Sequence, residues 1–261
     1  MGNRLHPTRH NCMQFKRAVL DCQFWRFPST LTTSNLAKDP KRVPTADPAT
    51  NGKRLSESVY EQLTRMIVSG ELESGQAVSE SELSRRLEVS RTPIHEAVGQ
   101  LAKDGLVIQE RNRRPVVATF STDDIFDVYE MRRILESEAA AKAALRIDRF
   151  TLAQLDDAAE QFKLAKGKQA VIRRWVRFDD QFHTAIAAAC GSSRLQADIQ
   201  RYRLLHRVFN RTHDDASVLE QAYDEHAVIL NALKNRDESA ARHAMNDHIA
   251  EWQRFFVKHL A

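Results

Sequence analysis

Apolar residues along this chain recur mostly three and four apart, the period of an amphipathic helix. Val59, Leu63 and Ile67 set that spacing over about 56–69. Leu83 and Leu87 repeat it on a shorter segment, and Ser79 with Glu82 has the S-x-x-E form of a capping box that starts a helix. Glu88-Val89-Ser90 then breaks the pattern. Ser90 is a good N-cap for the next helix, and Pro93 is tolerated in a first turn, where its missing N–H has no helical partner anyway. Ile94, Ala97, Val98 and Leu101 form one apolar stripe, and Gly105 supplies a left-handed stop. Two short β-rich runs, Leu106–Gln109 and Pro115–Ala118, flank Glu110–Arg114 and predict a hairpin.

Beyond Thr119–Thr122 the pattern changes. Only Gly167 and Gly191 remain of the two residue types that most often break helices. Helical spacing predicts segments at about 122–146, 151–165, 169–190, 193–212, 217–234 and 237–258. Long amphipathic helices joined by short connections argue an antiparallel bundle. The expected fold is therefore mainly α: a winged helix-turn-helix at 55–118 followed by an all-α bundle at 122–258.

The chemistry of the first part follows from what lies off its apolar stripe. Arg91, Thr92 and His95 are free to face a partner, while Gly99 continues that face with no side chain. Ser90, Arg91 and Thr92 also sit at a helix N-terminus, where backbone N–H groups favour phosphate. Arg111, Arg113 and Arg114 fall at the hairpin tip, suited to a DNA backbone or minor groove. A second helix that opens with small, polar and basic residues is the layout that enters a major groove. Arg91 is the candidate for base contact, Ser90 and Thr92 for phosphate, and His95 for sequence choice.

Composition adds little to this picture. The 261 residues carry a net charge of +4, with 42% hydrophobic and 28% charged residues, as expected of a soluble chain with a sizeable core. Ten lysines and arginines between Arg4 and Arg54 face only Asp21, Asp39 and Asp47. Residues 1–54 read as a disordered basic extension, either a non-specific DNA contact or a dispensable tail preceding a later start such as Met13. Cys12, Cys22 and Cys190 make no disulfide framework, and no run reaches the length of a membrane span. A cytoplasmic address is expected.

In the helical half, Asp179 and His183 lie four apart and share a face. His226 and His248 lie on later helices that a bundle can bring to the same core. One carboxylate and three imidazoles suit a divalent transition ion such as zinc, nickel or manganese. Such a set could also activate water, so a metal-dependent hydrolase is the alternative reading.

Two stretches resemble a known family. Residues 59–118 resemble the winged helix of GntR-type bacterial transcription regulators, through Ile67-x-x-Gly70-x-Leu72, Ser81–Leu87, and Val89–Val98 with Gly105-Leu106-Val107. Residues 122–255 resemble the FCD ligand-sensing domain of the FadR-type branch. The matches are Tyr129-x-x-Arg132-x-x-Leu135-Glu136, Asp179-x-x-Phe182-His183, Ala188-x-x-Gly191, Glu225-His226-x-x-Ile229-Leu230 and Met245-x-x-His248. The resemblance implies that Asp179, His183, His226 and His248 are metal ligands and that Arg132 pairs with an effector carboxylate. It further implies a homodimer on a palindromic operator, controlled by a small organic acid. The chain departs from the family pattern at His95, where Arg is usual, at Gly99, at Arg114, where the wing usually has Gly, and at Ser192, where Asn is usual. Tyr202, Arg203 and Arg207 could reach the effector pocket, but a solvated face is the expected reading for them.

Overall fold

Helix α1 (Pro48–Ser69) begins earlier than its apolar spacing predicts, and its Val59, Leu63 and Ile67 are buried. The computed structural model describes residues 48–209 and 216–260, so the reading of 1–54 as a disordered extension lies, up to residue 47, outside the described residues, and residues 48–54 of it are instead the first turns of α1. The chain divides into Met1–Asn51 and Gly52–Ala261, and the winged helix and the helical bundle both belong to the second unit.

Helix α2 (Glu80–Arg86) starts at Ser79, whose hydroxyl accepts from the Glu82 N–H. The helix-turn-helix turn passes through Glu88, which holds a left-handed backbone at φ 55°. Helix α3 (Arg91–Lys103) follows Ser90, which has the extended backbone of an N-cap but makes no side-chain capping bond. The predicted cap is thus present in backbone conformation only, and the Ser90 side chain is exposed. Ile94, Ala97, Val98 and Leu101 are all at most 1% exposed. Gly105, at φ 81°, turns the chain into β1 (Val107–Ile108), which pairs antiparallel with β2 (Val116–Val117). Ala77 bridges to Val116, which ties the approach to α2 to the wing. Asn112, not Arg114, takes the left-handed position of the wing turn, so the absence of glycine at 114 causes no strain.

Helices α4 (Thr122–Arg146), α5 (Arg149–Lys163), α6 (Lys168–Ala189), α7 (Ser193–Phe209), α8 (Ala216–Lys234) and α9 (Glu238–Leu260) follow. The predicted end of α7 at 212 lies outside the described residues. Ser121 and Asp124 form a full capping box at α4. Asp148 caps α5 through the Thr151 N–H. Ser192 accepts from the Leu195 N–H at 3.3 Å, so the departure there keeps a helix start.

Helix α4 is the centre of the bundle. Ala139, Ala140, Ala141, Ala143 and Ala144 are at most 1% exposed, and such small side chains let neighbouring helices approach closely. It lies along α9 and also touches α6, α7 and α8. Two principal cores result. One fills the bundle with Tyr129, Phe178, Phe182, Ile229 and Phe256 among others. The other fills the winged helix and takes in Val128 of α4 with Leu204, Leu205 and Val208 of α7. Burying each of these leucines and valines contributes about 1.5–3 kcal/mol, so α4 and α7 are part of what holds the winged helix in place.

Candidate functional site

The DNA-facing residues of the sequence reading all lie at the surface. Ser90, Arg91, Thr92 and His95 are exposed on and just before the first turns of α3. His95 Nδ1 lies 2.9 Å from Glu80 Oε1, which steers the ring toward α2. Arg111, Arg113 and Arg114 are exposed on the wing turn, with Arg113 paired to Glu110 at 2.8 Å.

The four predicted metal ligands come together. One donor atom from each of Asp179, His183, His226 and His248 lies within 4.8 Å of the others. All three histidines are at most 2% exposed. His183 Nε2 is 3.1 Å from His226 Nε2 and 3.5 Å from Asp179 Oδ1, and His226 Nε2 is 3.8 Å from that oxygen. Two ligands each ~2.1 Å from a zinc ion at tetrahedral angles stand roughly 3.4 Å apart, so the donor spacing fits such an ion.

The surroundings set the tautomers. Glu136 only accepts, so His183 donates from Nδ1 to Glu136 Oε2 at 2.5 Å. His248 likewise donates from Nδ1 to Glu225 Oε2 at 2.7 Å. Each bond leaves Nε2 as the nitrogen available to a metal, the arrangement that metal-binding histidines use. His226 Nδ1 is buried without a partner. Its ring sits between Phe182 and Trp175, at centroid distances of 4.3 and 5.2 Å. Burial pushes the pKa of His183 and His226 well below the ordinary histidine value, and the nearby Arg203 adds to this. Burial alone would raise the pKa of Asp179, but the Arg203 guanidinium and the neighbouring histidines together outweigh it and hold the carboxyl well below its usual range. Asp179, His183 and His226 are therefore kept in the deprotonated forms that bind cations.

Arg132, the candidate partner of an effector carboxylate, lies beside the cluster. It is 3% exposed, and its Nε donates to Glu136 Oε1 at 2.7 Å. Glu136 thus joins Arg132 to His183, a role the sequence hinted at only through the four-residue spacing on one helix face. The solvated-face reading of Arg203 is overturned: it is 3% exposed, because Asp179 and Asp180 of α6 supply counter-charges at 2.9 and 3.6 Å. Arg207 is half-buried against Asp180, and Tyr202 packs beside the winged-helix core. His206 was not anticipated. It is buried, and its Nδ1 shares a 2.7 Å hydrogen bond with the Tyr129 hydroxyl.

Comparison with known proteins agrees with both halves. The family model for bacterial regulatory proteins of the gntR family matches residues 55–117, and that for the FCD domain matches 127–251. The HTH-type transcriptional repressor RspR of Escherichia coli K12 is 28% identical over 198 residues, covering 76% of this chain and 86% of the relative. An HTH-type transcriptional regulator from the TAR-I ttuE-ttuC′ intergenic region of Agrobacterium vitis is 30% identical over 145 residues, covering 54% of this chain and 84% of the relative. Among solved structures, E. coli McbR/YncC superposes with a TM-score of 0.69 at 19% identity, covering 79% of this chain and 99% of that one. These matches are to regulators, so the hydrolase alternative is set aside. Among the described residues no helix is long and apolar enough to cross a membrane.

Proposed function

Since the chain belongs to the GntR family of bacterial transcription regulators and carries an FCD domain, we propose that it is a homodimeric operator-binding protein whose grip on DNA is set by a small carboxylate at a metal centre. DNA binding and regulation follow from the family. The ligand control, the metal and the dimer are the proposal.

One observation carries it. A buried cluster of four converging metal donors lies in the same folded unit as a winged helix whose candidate reading face is exposed. On this reading Asp179, His183, His226 and His248 hold a divalent ion such as zinc, nickel or manganese. The ion supplies a binding point for the carboxylate rather than a catalytic step. Glu136 and Glu225 orient two of the imidazoles, and Arg132 stabilises Glu136. At the other end, Arg91 contacts bases, Ser90 and Thr92 contact phosphate, and His95 tunes sequence choice. Arg111, Arg113 and Arg114 follow the backbone or minor groove. Each protomer reads one half of a palindrome.

Effector and operator must then change each other's affinity by the same factor, about 5- to 150-fold for a typical coupling. The test titrates DNA from upstream of the gene with zinc-loaded protein, with and without millimolar carboxylates, and measures mass in solution by light scattering. The reading expects a dimer whose operator affinity moves with at least one acid. Equal affinity with every acid tried would remove the sensing claim.

A further inference from the structure

Arg91, His95 and Gly99 lie four apart on α3, so they follow one another along one face of the helix. Two of the three depart from the usual pattern, and the structure relates them to each other and to α2. Glu80, half-buried in the first turn of α2, decides what His95 can offer. Its Oε1 lies 2.9 Å from His95 Nδ1. A carboxylate only accepts, so His95 donates from Nδ1, and in the uncharged ring Nε2 is left with a lone pair. The His95 side chain is 68% exposed, so the ring stays open to a partner while one nitrogen is anchored.

Reach is the second consideration. A histidine side chain is shorter than an arginine, so it meets a base edge only where the helix backbone lies closer to the groove floor. Gly99 permits that approach. It stands one turn beyond His95, and a Cβ built there would meet no side chain or distant backbone within 4 Å. Glycine weakens a helix interior, and a position that nothing in the fold crowds has no internal need of it. Close approach of the backbone to a partner is such a need.

Resting on the reading of α3 as the helix that enters the major groove, we propose that Glu80, His95 and Gly99 together form a hydrogen-bond acceptor that reads the exocyclic amino group of cytosine or adenine. Glu80 is a positioning residue: it touches no base and fixes the His95 tautomer. His95 Nε2 accepts from N4 of cytosine or N6 of adenine, the donors that base edges present in the major groove. Gly99 lets the backbone come near enough for the shorter side chain to do so. The chemistry is the reverse of an arginine at the same place, which only donates and therefore meets the N7 and O6 acceptors of guanine.

The experiment uses the full chain at about pH 8, above the titration range of a free imidazole. Binding-site selection with the parent and with His95→Ala locates the base pair at which their preferences differ. Anisotropy titrations then use duplexes altered at that pair alone. N4-methylcytosine or N6-methyladenine keeps the pairing but blocks the major-groove side of the amino group, and a 7-deazapurine removes the N7 acceptor. The parent loses about 3- to 10-fold in affinity on the methylated duplex, the loss of one hydrogen bond, and nothing on the 7-deaza duplex. His95→Ala is indifferent to both changes. Glu80→Ala no longer distinguishes the methylated duplex, whereas a merely structural Glu80 would shift every duplex by one factor. Gly99→Gln melts no lower than the parent and loses the same discrimination. Parental discrimination in Glu80→Ala or Gly99→Gln would remove that residue from the reader. A loss on the 7-deaza duplex, no loss on either, or selections that do not differ would overturn the acceptor while leaving a specific operator-binding protein. Equal affinity of the parent for selected and scrambled duplexes would overturn the groove reading of α3 itself.

Discussion

Replacing Glu136 with glutamine tests whether the buried cluster is built to hold a metal. Glu136 is 2% exposed and accepts from two donors, His183 Nδ1 at 2.5 Å and Arg132 Nε at 2.7 Å. The amide in Glu136→Gln is nearly isosteric, so the cavity stays filled. It lacks the negative charge, and its NH₂ cannot accept. If the amide oxygen serves Arg132, the amide nitrogen faces a His183 nitrogen that must turn into an acceptor, which would place a proton on Nε2, where the metal needs a lone pair. Loss of such an outer partner lowers metal affinity by about 10- to 100-fold, or ~1.4–2.8 kcal/mol. A second effect is independent of metal: Arg132 loses its buried counter-charge, and breaking a buried pair costs roughly 3–5 kcal/mol at the upper end. Competition of zinc between the protein and a chromophoric chelator measures the first effect, and urea unfolding of metal-free protein measures the second. Zinc affinity equal to the parent in a folded variant would refute the argument that Glu136 sets the His183 tautomer.

Further expectations arise from the same geometry. His183, His206 and His226 have pKa values pushed well below the ordinary histidine value by burial, so the unfolded chain takes up their protons first as the pH falls. Stability of the metal-free protein is therefore complete above about pH 6.5 and falls below it, by up to roughly 1.4 kcal/mol per pH unit per histidine. Urea midpoints between about pH 7.5 and 5.5 check this, and a flat profile would contradict it. Arg91→Ala removes the proposed base contact and should weaken operator binding by about 1–3 kcal/mol in an anisotropy titration, with parental affinity dismissing the assignment. His95→Arg should change which base is preferred at one half-site position in a binding-site selection, and an unchanged preference would exclude His95 from the readout.

The elements were legible because their apolar positions are. Ile94, Ala97, Val98 and Leu101 form a stripe in the sequence and a buried face in the structure. The candidate ligand set Asp179, His183, His226 and His248 was legible through a motif, and the four residues are brought within one cluster. What surrounds it was not, because charge pairing across helices leaves no periodic mark. Arg203 looks like a surface residue among the polar positions of α7, and only the placement of Asp179 and Asp180 on α6 buries it. His206 is legible only once Tyr129, which is 77 positions away, is seen against it. The contact of Leu204, Leu205 and Val208 with the winged helix is likewise a matter of packing between distant segments. The wing carries Arg114 where the family usually has Gly, and the left-handed position of its turn belongs to Asn112, which tolerates it.

Specific operator binding by the exposed N-terminal turns of α3 and the wing underlies everything else proposed for this protein. Fluorescence anisotropy tests it on a duplex from upstream of the gene, beside a scrambled duplex of equal length, across a salt series. The upstream duplex is expected to bind at least ~10³-fold more tightly, with both affinities falling as salt rises. Equal affinity for the two duplexes, with the same dependence on salt, would contradict it.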